Sequence, residues 1–168
     1  MKALLIIDIQ NDYFEGKKNP LKNLLQASEQ TKNILEKFRN EKLPIVHIQH
    51  ISSRPEASFF ISHTPRVKIH YHVKPKETDF QDTLKKLTVD ELVICGMMTH
   101  MCVNATTRAA KDLGYTCTLI GDACANCDLK INGEKIQANE VQDSFLAVLS
   151  HYNANIHVAK PFLSSKYK

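Results

Sequence analysis

The stretch Glu91-Leu-Val-Ile-Cys-Gly-Met-Met-Thr-His-Met-Cys-Val-Asn-Ala-Thr-Thr-Arg-Ala-Ala110 decides the fold of this 168-residue chain. Glu91 to Cys95 is an apolar run of strand length, and Gly96 marks a turn. A helical pattern then runs from Met101 to Leu113, where Gly114 stops it. Cys102 falls at the opening of that helix. Backbone N–H groups there lack helical partners, and the positive end of the helix dipole points at the sulfur. Both effects favour the thiolate, the reactive form of cysteine. The same N–H groups suit a developing oxyanion. One segment thus offers a nucleophile and part of its oxyanion hole, which points to an enzyme.

The strand-then-helix alternation extends in both directions. Ala3 to Ile9 is a continuous apolar run that reads as a first buried strand. It is too short for a secretory leader, it contains Asp8, and no small-residue cleavage site follows. Leu21 to Glu41 has helical spacing, anchored by Leu24, Leu25, Ile34, Leu35 and Phe38. Pro44 restarts the chain, and Ile45 to Ile48 reads as a second strand. Ser52 to Arg66 reads as loop, Val67 to Val73 as a short third strand and Phe80 to Leu87 as a helix. Glu91 to Cys95 is then the fourth strand, Cys117 to Ile120 the fifth and Asn155 to Val158 the sixth, with a helix over Lys135 to Ser150 before the last. The pattern predicts one domain over residues 1–168, an α/β fold with a six-stranded, mostly parallel sheet and helices on both faces. Right-handed crossovers bring every strand-to-helix loop to one edge of such a sheet, and sites form at that edge.

Composition narrows the function classes. Hydrophobic content is 43% and charged content 24%, ordinary for a globular chain, and no apolar run approaches the ~20 residues a membrane-spanning helix needs. The net charge of +4 comes from scattered residues such as Lys85, Lys86, Lys166 and Lys168, with no nucleic-acid motif beside them. Neither a nucleic acid nor a membrane is therefore an expected partner. Five cysteines in no even framework imply a reduced, cytoplasmic protein, with Cys95 and Cys117 as core residues. Cys124-Ala-Asn-Cys127 is a Cys-x-x-Cys pair open to three readings: a redox dithiol, half of a zinc site whose second pair the chain lacks, or a chance spacing, which the sequence favours.

Three residues meet at the predicted edge: Asp8 after the first strand, Lys74 after the third and Cys102 after the fourth. Cysteine needs a group to take its proton. A buried carboxylate with a raised pKa serves as that base, and a lysine balances the charges of acyl transfer. Around them, Leu5-Ile6-Ile7-Asp8-Ile9-Gln10-Asn11-Asp12-Tyr13-Phe14, Lys74 with Phe80, Thr83 and Leu84, Val93 to Ala110, and Asp122-Ala123-Cys124-Ala125 form four separated motifs. In this order they resemble the isochorismatase-like cysteine hydrolases, a superfamily of nicotinamidases, N-carbamoylsarcosine amidohydrolases and other small-amide hydrolases.

The resemblance implies a three-layer α/β/α sandwich assembled as a homo-oligomer, a dimer or larger. It implies Cys102 as nucleophile, Asp8 as base and Lys74 as the cation. It also implies a cis peptide between Met97 and Met98, and an oxyanion hole made by the N–H groups of Met98 and Cys102. The expected substrate is a small amide or ureido compound cleaved at its C–N bond, and Phe14, Gln49 and Thr99 are candidate contacts to it. Isochorismatase itself lacks the cysteine, which argues against vinyl-ether hydrolysis here. Metal-dependent nicotinamidases carry an Asp-x-His pair after the second strand. This chain has His47-Ile-Gln-His50-Ile instead, so no bound metal and no cofactor are expected. The competing reading is a catalytically silent scaffold of the same family that acts as a binding or assembly protein.

Overall fold

Side chains alternate between the two faces of a strand, so a strand apolar at every position needs cover on both sides. The computed structural model describes residues 1–15, 20–76 and 88–165 and shows how that cover is provided. The strands are β1 (Lys2–Ile7), β2 (Ile45–Ile48), β3 (Glu91–Met97), β4 (Thr116–Ala125), β5 (Leu129–Ile131), β6 (Glu134–Ile136) and β7 (Asn155–His157). The helices are α1 (Asn11–Glu15), α2 (Leu24–Asn40), α3 (Asn104–Asp112), α4 (Ala138–Tyr152) and α5 (Ala159–Ser164). Five strands form one all-parallel sheet in the order β2-β1-β3-β4-β7, and β5 and β6 form a separate antiparallel hairpin.

Leu4, Ile6, Val93, Cys95 and Ile120 pack on one face against Ile34, Leu35 and Phe38 of α2 and Phe162 of α5. Ala3, Leu5, Ile7, Leu92, Ile94 and Leu119 pack on the other against Ala110 of α3 and Leu149 of α4. The parallel sheet with helices on both faces that the alternation predicts, and the α/β/α sandwich that the resemblance implies, are therefore the architecture. Among the described residues, no helix is long and apolar enough to cross a membrane.

Three details depart from the reading of the sequence. The third strand expected over Val67 to Val73 does not exist, and the sheet has five strands rather than six. β1 already has β2 on one side and β3 on the other, and the segment does not pair along the outer edge of β2 or of β7. It runs instead as two 3₁₀ turns, Pro65–Val67 and Tyr71–Val73, joined to the chain after β1 by a single bridge between Gln10 and Ile69. The β5–β6 hairpin is the second departure. Its turn is Asn132-Gly133, both at positive φ (53° and 84°), as a two-residue type I′ connection requires. The third is the start of α4, at Ala138 rather than Lys135. The Gln137 N–H donates to Glu140 Oε2 at 2.8 Å, half of a capping box that begins the helix there. The helix expected over Phe80 to Leu87 lies outside the described residues, as do Phe80, Thr83 and Leu84.

Gly96 lies in β3 opposite Ile7 of β1. Its φ is +145°, and a Cβ there would lie 2.2 Å from the carbonyl oxygen of Ile7. Both strands are central, so neither can move aside cheaply. Gly96→Ala is therefore expected to destabilise the fold by about 3 kcal/mol or more, read as a lower denaturant midpoint. An unchanged midpoint would contradict the close approach.

Candidate active site

Parallel strands end together, so residues that follow β2, β1 and β3 are brought to one rim. Asp8 directly follows β1, with φ at 51°, a left-handed conformation that Asp tolerates better than most residues. Its N–H donates to the Ile48 carbonyl at 3.1 Å, which ties it to the end of β2. Asp8 is 1% exposed. His50 follows β2, and Cys102 follows β3. One donor atom from each of Asp8, His50 and Cys102 lies within 4.8 Å of the other two.

His50 is held in place by Gln10, which is fully buried. The Gln10 side-chain amide donates to the His50 carbonyl at 2.9 Å and accepts from the His50 N–H at 2.9 Å. It also donates to the Val67 carbonyl at 2.6 Å. One amide thus grips the backbone of His50 on both polar groups, as a neighbouring strand would. Asn11 and Asp12 hold the loop that follows. Asn11 Nδ2 donates to Pro65 O at 3.0 Å, Asp12 pairs with Arg66 at 2.8 Å, and the Phe60 N–H donates to Asp12. That loop turns an aromatic wall toward the site. Tyr13 meets Phe59 and Phe60 edge-on, and Phe60 lies 5.3 Å from the His50 ring.

Cys102 does not open an α-helix. It lies in a π-helical turn, Thr99–Val103, and α3 begins only at Asn104. Such turns are rare and often mark functional positions. The Met98 carbonyl accepts from the N–H groups of Met101 and Val103, and the Met97–Met98 peptide is cis. The half-buried sulfur is hydrogen-bonded to Asp8. Burial, then that hydrogen bond and the Asp8 charge, push the thiol up to about 12, while its own backbone N–H pulls it slightly down. The pull toward the thiolate read from the helix start is therefore outweighed here. Dehydration and a neighbouring carboxylate outweigh the peptide dipoles. Burial also raises the Asp8 carboxyl, against the opposing effects of Cys102 and His50. Tyr13 feels both groups, and burial together with their charges keeps its phenol protonated.

The remaining sequence candidates lie as follows. Lys74 closes the second 3₁₀ turn and is exposed, and its carbonyl accepts from Arg39 at 2.9 Å. Phe14 stacks on the buried His70 at 3.5 Å, and burial, with His72 nearby, lowers that imidazole to about 4. Gln49 donates to the Val67 carbonyl at 3.0 Å. Thr99 is fully buried and its hydroxyl donates to Ala125 O at 3.3 Å. Cys124 and Cys127 are both free and pack into opposite cores of the sheet, with Cys127 Sγ 3.9 Å from Met98 Sδ. Gln10 and Tyr13 were not singled out as site residues by the sequence reading, and His50 was weighed there only with His47 and His100, as a substrate contact against a structural histidine. The signal for Gln10 was its place two residues after Asp8, at the end of the apolar run Ala3 to Ile9.

Comparisons with known proteins assign the family. The isochorismatase domain model matches residues 2–152. The chain belongs to the isochorismatase family. It is 39% identical to the isochorismatase family protein YddQ of Bacillus subtilis over 96% of this chain and 98% of that protein. It is 27% identical to a streptothricin hydrolase of Streptomyces noursei over 89% of this chain and 56% of that protein. A crystal structure of an isochorismatase hydrolase from Oleispira antarctica superposes with a TM-score of 0.89 at 42% identity, covering 98% of this chain and 96% of that one. The protein is an isochorismatase-family hydrolase with the α/β fold of that family.

The raised Asp8 carboxyl has a consequence for stability. The stability linked to its protonated form is fully present below the ordinary value of 3.8 and is lost as pH rises through the raised one. At neutral pH the buried carboxyl therefore opposes folding. Asp8→Asn keeps the shape without the charge. Its melting temperature should gain on the wild type's as pH rises from acid to neutral, by differential scanning calorimetry. A gap that shrinks over that range would contradict the assignment. The same substitution removes a negative neighbour from Cys102, so the pH profile of iodoacetamide alkylation at that thiol should move to lower pH.

Proposed function

We propose that the protein is a cysteine hydrolase that cleaves the C–N bond of a small amide or ureido substrate through a thioester. The observation that carries this reading is the hydrogen bond between the Cys102 thiol and the buried Asp8 carboxyl at the shared rim of β1 and β3. The resemblance to amide-cleaving members of the family supports it, as does the likeness to a streptothricin hydrolase.

In this reading Asp8 takes the thiol proton along the existing hydrogen bond as the sulfur attacks the substrate carbonyl. The high pKa of the free thiol suits that order, because the thiolate is generated only as its charge passes to the substrate. The oxyanion is received by the N–H groups of Met98 and Cys102. Asp8 returns its proton to the departing nitrogen, which leaves as ammonia or a small amine. Water, deprotonated by Asp8, then cleaves the thioester. Lys74 supplies positive charge once the substrate has entered. Phe14, Gln49 and Thr99 contribute to the substrate surround, directly or through the backbone they hold. The protein acts as a cytoplasmic homo-oligomer of one hydrolase domain per chain, on a small molecule rather than on a nucleic acid or a membrane.

Cys102→Ala should lower turnover by at least about a thousandfold and leave the circular dichroism spectrum unchanged. Ammonia release from a panel of nicotinamide, carbamoyl amino acids and ureido compounds is the measurement. A Cys102→Ala protein that releases ammonia at the wild-type rate would overturn the proposal. So would a wild-type protein silent on the whole panel and on other small amides, which would leave the scaffold reading.

A further inference from the structure

Asp8, His50 and Cys102 are the only group of three metal-capable side chains this close together among the described residues. We propose that they form a binding site for a thiophilic divalent cation of the zinc class, and that the cation occupies the nucleophile and blocks hydrolysis. The binding stands on geometry alone; the inhibition rests on the hydrolytic reading above.

Four observations carry the site. The first is distance. One donor atom per residue lies within 4.8 Å of the others, whereas zinc bonds of ~2.0 Å to nitrogen and oxygen and ~2.3 Å to sulfur put tetrahedral donors roughly 3.5 Å apart. The set must close by about 1 Å, and His50 is exposed and able to turn inward. The second is an unpartnered atom. Asp8 Oδ1 is buried without a hydrogen-bond partner among the described residues, in a residue only 1% exposed. Such an acceptor is costly to leave unmet, and a cation would meet it. The third is charge. A carboxylate and a thiolate carry two negative charges, which a divalent cation cancels with neutral imidazole as third ligand. The fourth is donor chemistry. A mixed oxygen, nitrogen and sulfur set favours zinc or cadmium and disfavours magnesium or calcium.

This is a different arrangement from an Asp-x-His site built beside a nucleophile, because here the nucleophile is itself a ligand. The step balances simply. The Cys102 S–H bond breaks, its proton passes to solvent water, a metal–sulfur bond forms and the cation loses coordinated water. No electrons are transferred. The lone pair that would attack a carbonyl is then held by the metal, and a chelator returns it. Gln10 positions the site by gripping the His50 backbone.

Cadmium titration of the full-length protein tests this, followed by the ultraviolet thiolate-to-cadmium charge-transfer band, with zinc added to compete. One equivalent should saturate the wild-type band, zinc should displace it, and magnesium should not. Losing a group that only orients a ligand typically costs metal sites about 10–100-fold in affinity, so losing a ligand outright should cost at least about tenfold. His50→Ala and Asp8→Asn should each weaken cadmium binding by that much, Cys102→Ala should abolish the band, and Cys127→Ser should leave it unchanged. Circular dichroism checks that each variant is folded. No band in the wild type, a band that survives in Cys102→Ala, or wild-type affinity in folded His50→Ala would each overturn the site. If the band behaves as expected but no amide is hydrolysed, the cation site stands and the hydrolytic reading fails. If amide hydrolysis is seen and zinc at saturating band occupancy leaves it untouched, the inhibitory part is wrong.

Discussion

The site depends on one buried carboxyl that has been denied water. Asp8 sits at the end of a strand flanked on both sides, 1% exposed, beside a thiol that is itself half-buried. A carboxylate in that position is unstable unless a proton or a cation is near it. Much of the surrounding construction answers that need. The left-handed turn at Asp8 ends β1 abruptly. Gly96 allows β3 to approach the Ile7 carbonyl, which brings the π-turn and its sulfur within reach. Gln10 holds His50 as the third polar corner.

This arrangement gives the thiol a particular character. A nucleophilic cysteine at a helix start is activated by dipoles and stands as a thiolate. Cys102 is not activated in that way. Its proton is retained because the nearest charge is a carboxylate and because water is scarce. Reactivity then comes from a proton transfer available inside the site, rather than from a permanently charged sulfur. A thiol of this kind is slow toward alkylating agents and oxidants, since their targets are thiolates. It gains reactivity only with a partner that accepts charge as the proton leaves.

The segment after β2 shows how side chains replace a missing strand. Residues 65–73 join no sheet edge, and their backbone groups are met by Gln10, Asn11 and Gln49, and by turns of their own. The Asp12–Arg66 pair and the Phe60 N–H bond to Asp12 fasten the loop, and Phe60 is thereby set beside His50. The polar residues after Asp8 look in the sequence like turn residues. In the fold they form the scaffold on which the loop hangs.

Local patterns were legible wherever one segment carried its own information. The apolar runs at Ala3 to Ile9 and Glu91 to Cys95, the helical spacing from Leu24 to Phe38 and the stop at Gly114 each specify an element whose partners matter little. Asn132-Gly133 was equally local, a type I′ signal that its weakly apolar flanks obscured. What only the tertiary structure decided depends on neighbours distant in sequence. Val67 to Val73 has strand-like residues, but whether it pairs depends on how the segment meets the rest of the fold, here through Gln10 and Asn11 rather than a sheet edge. Cys102 has a helix-start context, but its protonation depends on Asp8, 94 positions earlier. His50 carries no periodic or motif signal, and it enters the site because an amide 40 residues away holds its backbone. Hydrophobic periodicity is written along the chain, whereas burial, charge and free sheet edges are properties of the packed whole.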